Sequence, residues 1–103
     1  MKKLQVLVEM EKLHNMNSGL GQFCFGLGQA LVQQNLNHEL HFLVPENKHG
    51  IFGNSSIYIL LKSYLSFLLN KPKPYEIWHC THQESKYLPS HSKLILTIHD
   101  LNF

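Results

Sequence analysis

Three stretches of this 103-residue chain carry groups able to do chemistry. His99-Asp100 closes the apolar run Leu94-Ile95-Leu96-Thr97-Ile98. An imidazole at the end of such a run stands where open α/β sheets place their ligands, and there it can donate to a hydroxyl or carry partial charge near a phosphate. Ser18-Gly19-Leu20-Gly21 follows the turn formers Asn15-Met16-Asn17 and precedes a helical pattern. Ser18 is a candidate N-cap, and the backbone N–H groups behind it sit at the positive end of a helix dipole, which favours an anion. His79 and His82 form H-x-x-H, with His91, His99 and Asp100 downstream. Residues three apart on a strand face opposite sides, so the pair converges only if Thr81 begins a loop, and no metal site is expected there.

The glycines do not make a dinucleotide fingerprint. A G-x-G-x-x-G beginning at Gly19 needs glycine where Cys24 stands, and the first strand ends about ten residues too early. Cys24 and Cys80 are 56 positions apart with no C-x-x-C spacing, which suggests neither a zinc knuckle nor a small disulfide scaffold and fits a reducing compartment.

These groups must be held by regular elements. Leu4-Gln5-Val6-Leu7-Val8 reads as a buried strand. Leu20, Phe23, Cys24, Leu27 and Leu31 mark one face of a helix running to about Gln34. Gly26 and Gly28 inside it cost about 1 kcal/mol each in propensity, which close packing against a sheet would explain. A second strand spans His38–Val44 and stops at Pro45, and Lys48–Ser56 reads as a loop. Ile57–Leu69 reads as a second helix, terminated by Lys71-Pro72-Lys73-Pro74. Strands follow at Ile77–Cys80 and from Lys93 to His99. The order strand, helix, strand, helix, strand, strand, with strands apolar on both faces, predicts an α/β fold: a Rossmann-like parallel sheet with flanking helices and right-handed crossovers. No helix follows the last strand, so residues 1–103 read as one partial, truncated domain.

Composition narrows the function classes. Apolar types make up 44% and charged types 16%, which suits a globular core. The net charge of +2 is spread without a dense basic run, so nucleic acid is not an expected partner. Eight histidines make the charge climb on mild acidification. Lys2-Lys3 precede an apolar stretch that Gln5 and Glu9 interrupt, so no secretory signal is read and a cytoplasmic location is expected. Ile57–Leu69 contains Lys62 and is shorter than the ~20 residues a membrane span needs, so peripheral contact with a membrane is the most it offers.

Taken together, Ser18-Gly19-Leu20-Gly21-Gln22-Phe23, Tyr75-Glu76-Ile77-Trp78-His79-Cys80-Thr81-His82 and Leu96-Thr97-Ile98-His99-Asp100-Leu101 resemble the N-terminal half of retaining glycosyltransferases of the GT-B fold, family GT4. The resemblance covers nearly the whole chain. It implies the acceptor-side domain of an enzyme that moves a hexose from a nucleotide sugar to a glycan or lipid-linked acceptor, with retention. It also implies a separate C-terminal donor-binding domain, which this chain lacks, so that the chain alone is inactive. Carried over by position, the backbone at Ser18, Gly19, Leu20 and Gly21 would meet the donor diphosphate. His99 would line the catalytic cleft as the catalytic residue, with His79, His82 and Asp100 as candidate acceptor contacts. The nucleotide sugar is a substrate, and neither cofactor nor metal is implied. The family's strand-end pattern is H-x-H, whereas this sequence has H-x-x-H. Glu76 and Glu84 share the E-x7-E spacing of the family's other domain, but here it straddles a strand and a loop and is read as coincidence. A non-enzymatic α/β binding or interaction module is the alternative.

Overall fold

The structure is a computed structural model that describes residues 3–34, 37–70, 74–87 and 92–99. The elements follow in the order β1 (Gln5–Glu9), α1 (Gly19–Gln34), β2 (Glu39–Val44), β3 (Ile57–Leu60), α2 (Tyr64–Asn70), β4 (Ile77–Cys80) and β5 (Lys93–Leu96). All strand pairs are parallel, in the order β3-β2-β1-β4-β5. The strands expected near Leu4, His38, Ile77 and Leu94 therefore lie in one parallel sheet, which is the α/β, Rossmann-like arrangement that the apolar runs predict.

Alternation along each strand divides the core between two faces. Val8, Leu40, Phe42 and Val44 bury against Phe23, Cys24, Leu27 and Leu31 of α1, with Leu13 and Phe52 completing that cluster. On the other face Leu7, Leu43, Ile59, Trp78 and Cys80 pack with Tyr75, and Tyr64 and Phe67 of α2 lie against them. A polar line runs through this second layer. The Tyr75 hydroxyl is 2.7 Å from Nδ1 of buried His41, whose Nε2 lies 3.1 Å from Glu39. The bond to His41 holds the Glu39 carboxyl below its ordinary value.

The segment Ile57–Leu69 is not a single helix. Ile57–Leu60 forms β3, a 3-10 turn covers Leu61–Ser63, and only then does α2 begin. Ile57, Tyr58 and Ile59 have the branched and aromatic side chains that fit a pleated surface, and the exposed edge of β2 gives them a ladder, with Phe42 opposite Tyr58 and Leu43 opposite Ile59. Tyr58 adds a local lock. Its hydroxyl accepts the Phe52 N–H at 2.8 Å and donates to the Gly53 carbonyl at 2.7 Å, fixing the loop that leads into the strand. Two parallel strands, β2 and β3, are thus joined by a loop and a short 3-10 turn (Glu46–Lys48) in place of a covering helix.

The last strand is equally short of cover: every β5 residue is exposed, as is Ile98 beyond it. The apolar run expected to continue as strand to His99 leaves the ladder at Leu96. Among the described residues, no helix is long and apolar enough to cross a membrane.

The glycines of α1 separate by environment. A Cβ on Gly28 would overlap the Phe52 ring, and one on Gly21 would overlap the Asn15 carbonyl, so both permit close approaches, to a loop and a turn, and neither approach is to the sheet. Gly26 is exposed and has open space around it, so sheet packing does not explain it. Gly26→Ala is expected to raise the unfolding free energy by about 1 kcal/mol through helix propensity alone. Gly28→Ala should lower it by about 1–3 kcal/mol through overpacking. Urea denaturation of the two single variants beside the parent chain measures both, and equal signs would contradict this packing.

Candidate functional site

The strand order reverses direction at β1. The chain winds outward through β2 and β3, then returns to place β4 on the other side of β1. Crevices for ligands in open α/β sheets form outside the carboxyl ends of the strands at such a reversal. The residues that leave β1 and β4 at this edge are Glu9, Met10 and Glu11 on one side and Thr81 and His82 on the other.

Thr81 holds the edge together. It is buried, and its hydroxyl donates to the Glu9 carbonyl at 2.8 Å while the Cys24 thiol, from α1, donates to the Thr81 hydroxyl oxygen at 3.3 Å. The Thr81 carbonyl is 2.7 Å from His99 Nε2. A carbonyl only accepts, so His99 carries a proton on Nε2, and in the neutral ring Nδ1 is then the lone-pair acceptor. The His99 ring meets the edge of Phe23, 4.7 Å between centroids at 90°, and its backbone N–H donates to Gln83 Oε1 at 3.3 Å. A half-buried imidazole fixed in tautomer and plane, beside the first turns of α1, has the geometry of a positioned polar group.

At the start of α1, Ser18 is the N-cap that the sequence predicts: its Oγ accepts the Gly21 N–H at 2.9 Å. Its carbonyl accepts Gln22 N–H at 3.0 Å. Gly21 is buried against the Lys12–Asn15 turn, so its N–H and its Cα are both committed to the fold. Of the four backbone positions expected to face a diphosphate, Gly19 and Leu20 are the ones whose N–H groups have no capping bond among the described residues.

The remaining candidates go different ways. Thr81 does begin a loop, yet His79 and His82 do not converge. His79 Nε2 is 2.8 Å from the Thr97 hydroxyl, and burial draws its imidazole below the ordinary value. His82 instead turns toward β1, with Nε2 3.5 Å from Glu9 Oε1 and 3.5 Å from Glu11 Oε1. His91 and Asp100 lie outside the described residues. A polar hollow of about 490 Å³, lined by residues such as Lys3, Glu39 and Ser55, lies at the opposite, amino-terminal end of β2 and β3.

Glu9, Glu11, Thr81 and Cys24 belong to this edge, and sequence reasoning assigns them no role there. The signal was present in Glu9: a carboxylate directly after four apolar or amide residues of a buried strand, fully shielded from solvent, needs a reason to be there.

Thr81→Val keeps the shape but leaves the Glu9 carbonyl without its donor, and should lower the unfolding free energy by about 1–3 kcal/mol, measured by denaturant titration. Burial pushes the Cys24 thiol up to about 11, and Cys80 is raised by burial as well. Neither thiol should react with an aromatic disulfide reagent in the folded chain at neutral pH, and both should react once the chain is unfolded. Fast labelling of the native protein would contradict the packing around Thr81.

Comparison of the chain with protein-family models, with curated proteins and with solved structures finds no match.

Proposed function

We propose that this chain is the acceptor-side, N-terminal domain of a GT4-like retaining glycosyltransferase, moving a hexose from a nucleotide sugar to a glycan or lipid-linked acceptor. The observation that carries the reading is the meeting of two predicted motifs at one edge of the sheet: His99, locked through Thr81, stacks edge-on against Phe23 in the second turn of the helix that Ser18 caps.

The chemistry follows from that edge. Gly19 and Leu20 offer first-turn N–H donors and the positive end of the α1 dipole to an anionic group such as a diphosphate. His99 would offer Nδ1 as an acceptor for a sugar hydroxyl, and its fixed plane removes the rotational freedom that a free imidazole loses on binding. A positioned polar group of this kind acts by favouring charge and hydrogen-bond arrangements that appear only as the glycosidic bond to phosphate breaks. The C-terminal domain of such an enzyme would hold the nucleotide and supply the positive charge that receives the departing phosphate. Nucleotide-sugar donors fit a cytoplasmic location, and the exposed Leu65 and Leu69 of α2 suit peripheral contact with the inner membrane face. The alternative, a non-enzymatic interaction module, draws support from the exposed Leu94, Ile95 and Leu96 of β5, an apolar edge suited to a protein partner.

Transfer of labelled hexose from a panel of nucleotide sugars to membrane-extracted acceptors, by the complete polypeptide containing this domain, tests the proposal. His99→Ala should reduce transfer by roughly tenfold to a thousandfold while the melting temperature changes little. A folded His99→Ala enzyme with parental turnover, or an absence of transfer from every donor, would overturn it.

A further inference from the structure

A glycosyltransferase role gives Glu9 and Glu11 no task and His82 only that of a candidate acceptor contact, although all three occupy the carboxyl ends of β1 and β4 where the strand order reverses. We infer that these three residues form a binding site for a divalent transition-metal cation, with zinc the best fit.

The first ground is unmet polarity. Glu9 is fully buried and the His82 side chain is 4% exposed, yet among the described residues Glu9 Oε1 and His82 Nε2 make no hydrogen bond. Both atoms point at the same space, and with Glu11 Oε1 they all lie within 4.8 Å of one another. Buried polar atoms are ordinarily paired, and two such atoms facing each other across 3.5 Å mark a position for a shared partner.

Charge makes the same demand. Two carboxylates converge on one imidazole, which even when protonated offsets only one of the two negative charges. Burying the surplus is costly, whereas a dication balances both carboxylates and leaves His82 as a neutral donor.

Geometry and donor type select the ion. Bonds of about 2.0–2.2 Å at the tetrahedral angle place neighbouring ligand atoms about 3.3–3.6 Å apart. Two of the three edges here, His82 to Glu9 and His82 to Glu11, are 3.5 Å. Glu11 is 19% exposed and on the solvent side, so its side chain can rotate to close the third edge. Magnesium and calcium prefer all-oxygen shells of six or more ligands, while an imidazole with two carboxylates suits zinc and its neighbours in the transition series. Glu9 is already oriented: its Oε2 accepts the Glu11 N–H at 2.5 Å, which leaves Oε1 for the metal. Three protein ligands, one of them partly exposed, are the set of a site that takes water or an anionic oxygen ligand as its fourth.

The expectation of no metal rests on the strand geometry of His79 with His82 and on the family resemblance. This site uses His82 without His79 and draws its other ligands from β1 and the turn after it, some 70 residues earlier in the chain.

The test is zinc titration by calorimetry of the untagged, chelator-treated chain, with cobalt as a spectroscopic probe. One zinc per chain is expected, with micromolar or tighter affinity, and the cobalt form should show the intense visible bands of four-coordinate geometry. Glu11→Gln, at the least buried ligand, should fold normally and lose affinity by roughly a hundredfold, and His82→Gln should abolish the cobalt bands. Zinc should raise the melting temperature of the parent chain and leave that of Glu11→Gln unchanged. Substoichiometric binding, parental affinity in a folded Glu11→Gln chain, or equal affinity for magnesium would each overturn the assignment.

Discussion

The hydrogen bonds of Thr81 are the interaction on which the carboxyl edge of this protein depends. One hydroxyl joins the end of β4 to the end of β1, receives a thiol from α1, and sits on the residue whose carbonyl orients His99. The carboxyl end of β4 also anchors the segment after β5: Thr97 N–H donates to the Cys80 carbonyl at 3.0 Å, and the Thr97 hydroxyl meets His79. β5 contributes exposed apolar residues and so gains little from burial. Its carboxyl end is held by directional polar bonds instead, which also fixes where His99 stands. Position at the site therefore derives from backbone and hydroxyl groups in a buried setting, where hydrogen bonds are strong and their loss is costly.

Much of this architecture was legible in the residue pattern, for reasons that also explain the misses. The runs at Gln5–Glu9, Glu39–Val44 and Ile77–Cys80 lie in the middle of a parallel sheet, where both faces are covered, and continuous apolar sequence is the direct imprint of that environment. The α1 periodicity was equally plain, because one face alone is buried. The single helix expected at Ile57–Leu69 fails for a physical reason. The first four residues take their conformation from the free edge of β2, a partner distant in sequence, and a short apolar run carries no period that separates strand from helix.

The candidate site was legible only in part. Ser18 could be found as the cap because capping is a local rule that a linear sequence preserves, whereas strand-end placement singled out His99 from a run whose strand already ends at Leu96. Glu9 with His82 could not be found, since their proximity comes from parallel pairing of β1 with β4, in which Glu9 stands opposite Cys80 and His82 lies two residues further on. Spacing arguments compare neighbours along the chain, and H-x-x-H drew attention to His79, whose ring goes to Thr97 on the adjoining strand's extension. A buried carboxylate at the end of a core strand was the better clue, as it identifies an unmet electrostatic need before any partner is known.

That need bears on how the edge would receive an anion. The turn containing Glu11 packs on the first turn of α1, with the Lys12 and Asn15 carbonyls against Gly21. Glu11 therefore belongs to the turn that packs beside the helix N-terminus, whose dipole and N–H groups favour an anion. A dipole equivalent to about half a charge does not offset two carboxylates. A dication held between Glu9, Glu11 and His82 reverses the balance, because it cancels both carboxylates and leaves the α1 terminus as the dominant local field. In that arrangement, cation and anion binding at this edge are coupled: each lowers the electrostatic cost of the other, and by linkage the affinity gained by one equals that gained by its partner.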